Sequence, residues 1–113
     1  MNSLYGDISE RQLSEYKSKL HNKMFWLLLY KDPKTKDKYD YVDFDKYFVS
    51  LMKEIHGLNT ILLDRPEIVE LLSMLQAAYE DTDNYSVYRK FVLDAHAVLD
   101  KLIPGEGESH DHV

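Results

Sequence analysis

The sequence predicts an all-α, single-domain four-helix bundle, and three observations carry that prediction. Apolar residues recur at steps of three and four in four separate segments. Pro33, Pro66 and Pro104 stand at the edges of those segments. No internal repeat or shift in composition divides the 113 residues, a length that suits one domain with a real core.

The first helix spans about 9–31. Ser9 and Gln12 have the spacing of a capping box, with Ile8 and Leu13 placed as a hydrophobic staple. Leu13, Tyr16, Leu20, Met24 and Leu27 form its core stripe, and Asp32-Pro33 stops it. Its last turns, Met24 to Tyr30, are apolar all round, and Phe25, Trp26 and Leu29 lie behind the core face. Such a face needs a second cover. The lysine-rich loop 31–38 follows, a solvated connection or a contact point for an acidic partner. Tyr39 and Tyr41 then alternate with polar residues, so a β-hairpin over 25–42 is the competing structure. The Leu and Met content of the run favours helix.

The second helix spans 43–56, with Asp43 as N-cap and a stripe of Phe44, Phe48, Leu51, Met52 and Ile55. Gly57 reads as the left-handed residue that ends it, and Leu58 as the apolar residue folding back toward Met52. Residues 59–63 read as an apolar linker. The third helix, 66–80, starts from an acidic cap at Asp64, with Pro66 in its first turn and Glu67 at N3. After the turn 81–84, the fourth helix runs 85–103 on a stripe of Tyr88, Phe91, Val92, Ala95, Val98, Leu99 and Leu102, ended by Pro104-Gly105. Residues 1–103 are thus read as the bundle and 104–113 as a mobile acidic, histidine-bearing tail.

Composition narrows the function. A net charge of −6 and a pI near 5.3 argue against general binding to phosphate backbones. The absence of cysteine excludes disulfides and thiolate metal sites and fits the cytoplasm. No apolar stretch approaches the ~20 residues of a membrane span. The N-terminal residues lack a signal-peptide pattern. No cofactor is expected: there is no Gly-rich phosphate loop and no Glu-x-x-His pair, and Asp81-Thr82-Asp83 fails as a calcium loop because Tyr85 takes the third ligand position. His110 and His112 could catch a transition metal only as an exposed pair does.

Two constellations remain. Phe25, Trp26, Leu29, Tyr30, Tyr39 and Tyr41 concentrate the ring types that interfaces favour. The function expected from them is protein–protein binding, through a homodimer or a protein partner, with the loop 39–44 as the alternative cover. An acidic, Tyr-rich surface of this kind can also imitate nucleic acid, as small inhibitors carried by mobile elements do. The second constellation is Arg89, His96 and Asp100, a row along the rim of the fourth helix in which His96 and Asp100 are one turn apart. His21 lies one step outside the first helix stripe, and His56 is read as a helix C-terminal residue suited to the dipole.

Arg89 and His96, separated by six residues on a late helix of a small all-α domain, resemble the signature of HEPN ribonucleases. The resemblance implies an RNA nuclease in which Arg89 grips a phosphate and His96 moves a proton, acting across a dimer. Lys90 departs from the small polar residue the family often has after its Arg.

Overall fold

A computed structural model describes residues 2–102, and they form an all-α domain of four helices. The helices are α1 (Glu10–Lys31), α2 (Phe44–Ile61), α3 (Pro66–Glu80) and α4 (Tyr85–Asp100), with a 3-10 turn at Lys36–Tyr39. Residues 103–113, where the tail and the Pro104-Gly105 stop were placed, lie outside the described residues.

The start of α1 follows its sequence signal. Ser9 Oγ accepts the Gln12 amide at 3.1 Å, and Gln12 Oε1 accepts the Ser9 amide at 2.9 Å. Ile8 and Leu13 are both buried, as a staple requires. Ahead of α1, residues expected only as a lead-in form a two-stranded antiparallel hairpin, β1 (Asn2–Ser3) and β2 (Gly6–Asp7). Gly6 takes φ +103°, which suits a residue without Cβ. The Leu4 amide donates to the Ile61 carbonyl at 2.8 Å and ties the hairpin to the end of α2.

Several expected boundaries are corrected. The β-hairpin over 25–42 does not form: Phe25–Tyr30 is helical, and Tyr39 closes the 3-10 turn. Helix α2 does not stop at residue 56, and Gly57 is not its cap. It continues through Gly57 to Ile61, because the added turn buries Leu58 and sets Ile61 and Leu62 against the core, which outweighs about 1 kcal/mol for an internal glycine. His56 is therefore not at a helix C-terminus. Asp64 does not cap α3 either: it has φ +60°, and Arg65 holds the N-cap position without a side-chain capping bond, its guanidinium pairing with Glu67 instead. The chain turns on two successive left-handed residues, Leu63 and Asp64, where no glycine is available. Helix α4 ends at Asp100, three residues early, and Leu102 still reaches the core. Tyr16, assigned to the α1 stripe, is exposed.

In space α4 lies between α1 and α3, while α2 packs mainly on α3 and lightly on α1. The core between them holds Leu13, Leu20, Met24, Leu27, Phe48, Ile55, Ile68, Leu71, Leu75, Val92 and Leu99. Helices α1 and α4 run antiparallel in a readable register. Tyr88 Oη donates to the Leu27 carbonyl at 2.7 Å, His21 meets His96, and Lys17 Nζ donates to the Asp100 carbonyl at 3.4 Å. Polar ties at two places, Tyr88 at one end and His21, His96, Asp100 and Lys17 at the other, thus pin the seam.

Candidate functional site

The C-terminal half of α1 carries the aromatic face. Why the chain returns over it can be followed bond by bond. The Asp32 amide donates to the Leu28 carbonyl at 2.8 Å, finishing the helix, and Asp32 Oδ1 accepts the Lys34 amide at 2.9 Å. Thr35 Oγ1 then donates to the Leu29 carbonyl at 2.7 Å and pulls the loop back along α1. The 3-10 turn that follows delivers Tyr39 to Trp26. Their rings meet edge to face at 5.5 Å and 84°, while Tyr30 lies on Trp26 at 5.8 Å and 29°. Tyr47 from α2 reaches Tyr30 at 5.1 Å and donates to the Lys23 carbonyl at 2.8 Å.

The face is therefore covered in part from within. Trp26, Leu29, Tyr30 and Tyr39 are half-buried. Phe25 remains 50% exposed beside Trp26, with ring centroids 6.5 Å apart, and Tyr41 is 79% exposed. Phe44, on the core side, is capped by Lys31 Nζ at 4.2 Å from its centroid. Burial, then the neighbouring Tyr41 and Tyr39 phenols, push the Tyr30 hydroxyl above its ordinary range. Burial, Tyr30 and Glu54 push Tyr47 up to about 12. These phenols stay neutral donors across the biological pH range.

The rim of α4 is built differently from the row read in the sequence. His96 and Asp100 do share an edge, but they are joined through His21 of α1. His21 Nε2 lies 2.7 Å from Asp100 Oδ1, and His21 Nδ1 lies 2.7 Å from His96 Nδ1. The two imidazoles are within 3° of one plane, with centroids 4.9 Å apart. That separation is a 2.7 Å nitrogen contact plus the two ring radii, so the rings meet end to end and are not stacked. His96 is half-buried, and burial, then the charge of His21, hold it below the ordinary histidine range against the opposing pull of Asp100. Arg89 is exposed, about 10 Å of helix away, and among the described residues no hydrogen bond or ion pair joins it to His96.

His21 is the residue that sequence reasoning left without a role. Its position just off the α1 stripe marks a seam residue, but only the α1–α4 register puts it opposite His96. Beside this row an open, polar groove of about 590 Å³ runs along α1, lined by Arg11, Ser14, Lys17, Ser18, His21 and Asp100 among others. A smaller apolar pocket of about 260 Å³ lies between α1 and α2, where Gly57 leaves room beside Tyr16, Leu20 and Leu58. Among the described residues no helix is long and apolar enough to cross a membrane, and no three His, Cys, Asp or Glu side chains gather as a metal site. No family model, curated protein or solved structure matches the chain.

Proposed function

We propose that this is a small acidic binding protein whose aromatic face, built from Phe25, Trp26, Leu29, Tyr30, Tyr39 and Tyr41, docks on another protein surface. The observation that carries the reading is the unfinished cover of that face. Tyr39 and Tyr30 pack on Trp26, yet Phe25 at its edge and Tyr41 beyond it stay open to solvent. Half-covered rings give a rigid anchor that loses little entropy on docking. The simplest occupant is a second copy of the chain, because an isologous patch needs no other protein. The test is sedimentation of the wild type and of Phe25→Ala and Trp26→Ala. A concentration-dependent dimer lost in both variants supports self-association. A wild type that is monomeric at high concentration, and that captures no partner in a manner sensitive to Phe25→Ala, sinks the reading.

The His21–His96–Asp100 row favours a second reading, the HEPN-like RNA nuclease. It supports His96 as a residue held by neighbours of the kind that orient a proton-transferring imidazole. Arg89 would have to meet a phosphate from its exposed position two turns away. RNA cleavage by the purified protein, abolished in His96→Ala and in Arg89→Ala, would establish it. Intact RNA after incubation with the wild type would dismiss it.

A further inference from the structure

We infer that His21, His96 and Asp100 form a proton-operated latch across the α1–α4 seam, closed with one proton between the two imidazoles and opened when both are fully protonated. The argument begins with donor bookkeeping. An ionised Asp100 only accepts, so His21 Nε2 carries a proton and donates it. With His21 neutral, its Nδ1 holds a lone pair, and His96 Nδ1–H donates to it across 2.7 Å. Among the described residues nothing bonds His96 Nε2, and its lone pair is then the imidazole site of the row open to a further proton.

One further proton can be added there without disturbing the contact. The bridging proton is then shared by two rings carrying a single positive charge, with the Asp100 carboxylate at the far end of His21. A second added proton cannot be accommodated. It would place N–H against N–H at 2.7 Å and set two cations ring to ring in a half-buried seam. The surrounding charges do not relieve this. On α1, Lys17 binds the Asp100 carbonyl and adds positive charge, and Lys23 is paired with Glu54 of α2 on the other side of the helix. On α4, Lys101 turns away to Glu70 of α3 at 3.7 Å, and Arg89 is two turns distant. Glu10 and Arg11 line the neighbouring groove. Among the described residues, Asp100 is the one carboxylate hydrogen-bonded to the rings, and it can balance one positive charge.

The other polar tie of the seam, Tyr88 to Leu27, keeps its proton, since burial pushes the Tyr88 phenol far up. Acidification therefore loosens the end of the seam that holds His21 and His96, where Leu13 and Leu20 of α1 and Val98 and Leu99 of α4 are buried in the core, and leaves the Tyr88 end closed. The direction follows from linkage. A histidine held neutral by the fold keeps its full stabilisation above its unfolded value and loses it as pH falls toward the folded one.

The test is hydrogen exchange, corrected for intrinsic rates, on the wild type, His96→Gln and, as control, His56→Gln, at pH 7 and pH 5. It is combined with a nitrogen-detected titration of the wild-type imidazoles. The expected result is amide opening near Leu13–Leu20 and Val98–Leu99 that rises severalfold from pH 7 to pH 5. Amides near Tyr88 should not follow. His96→Gln, which can still bond His21 but takes no proton, should lose the pH dependence, and His56→Gln should keep it. The titration should show two protonation steps separated within one coupled pair. Equal pH dependence in the wild type and His96→Gln would overturn the latch. So would imidazoles that titrate independently, or stoichiometric zinc binding by the metal-free protein that either His21→Gln or His96→Gln abolishes.

Discussion

Trp26 receives the edge of Tyr39 at 5.5 Å and 84°, across a loop that Thr35 pins to the last turn of α1. Together with the edge-to-face contact of Tyr39 on Tyr30 at 5.6 Å, this contact repays the ordering of the loop between α1 and α2 with ring-on-ring packing, and it decides how much of Trp26 is left for anything outside the chain. Removing Tyr39 should therefore uncover the indole without unfolding the helices. Tyr39→Ala is expected to red-shift Trp26 fluorescence, leave the far-UV helical signal unchanged and cost about 0.5–1.5 kcal/mol in denaturant unfolding. Unchanged emission would mean that Tyr30 and Phe25 alone shield the indole.

The connection between α2 and α3 stores backbone strain. Leu63 sits at φ +62° and is 50% exposed, so its side chain gains little from the position it strains to reach. A left-handed non-glycine residue costs roughly 1–2 kcal/mol. Leu63→Gly should stabilise the fold by about 1 kcal/mol after the added freedom of the unfolded chain is subtracted. The midpoint of urea unfolding should rise with no change in slope. The neighbouring Asp64 is a poorer choice, because its carboxylate accepts from Asn59 Nδ2 at 3.4 Å.

Gly57 makes the opposite case. It lies inside α2 with helical geometry, and an added Cβ would meet nothing within 4 Å. Gly57→Ala should stabilise the protein by about 1 kcal/mol, the ordinary helix-propensity difference, read as a higher unfolding midpoint. Because Gly57 opens the small pocket beside Tyr16 and Leu20, the same change should narrow that pocket. A destabilised Gly57→Ala would mean that α2 approaches a neighbour more closely there than its open surroundings imply.

These two positions also mark where the fold was and was not legible in the sequence. Ser9 with Gln12, and Pro66, announced helix starts through local chemistry, and the start positions were readable for that reason. Gly57 carried an equally local stop signal, but burial of Leu58 and Leu62 on the far side overrode it, and burial depends on partners the sequence does not place. His21 is a stronger instance. Its own helix marks it only as a residue at the edge of the stripe, and its role exists because the antiparallel register sets it between His96 and Asp100. The aromatic face lay between these extremes: the helical wheel exposed Phe25, Trp26 and Leu29, while the extent of their cover depended on the Thr35 bond to Leu29.

The closed end of the α1–α4 seam can be probed by deleting one oxygen. Tyr88 is fully buried and gives its hydroxyl proton to the Leu27 carbonyl at 2.7 Å, a carbonyl already engaged in its own helix. Tyr88→Phe keeps the ring and its contacts with Phe44 and Tyr85. The loss should be about 1 kcal/mol, the net worth of one hydrogen bond whose acceptor keeps another partner. Calorimetric unfolding would check it, and a loss several times larger would show that the oxygen also sets the helix register.

Alkaline pH should weaken the fold through Tyr47 by a route separate from the histidine row. Tyr47 donates to the Lys23 carbonyl, and burial, Tyr30 and Glu54 raise its hydroxyl from an ordinary 10.0 to about 12. A group whose folded value is raised stabilises the fold fully below its unfolded value, and the contribution drains away as pH climbs through the folded one. Between pH 10 and 12 the unfolded chain ionises this phenol while the folded chain holds its proton, so each step upward favours unfolding. Urea midpoints measured from pH 9 to 12 should therefore fall, and Tyr47→Phe should fall less steeply while starting from a lower midpoint at pH 9. The slope should not vanish in that variant, since Tyr30 and Tyr88 are raised by burial as well. Parallel curves for wild type and Tyr47→Phe would show that the phenol ionises as readily in the fold as outside it.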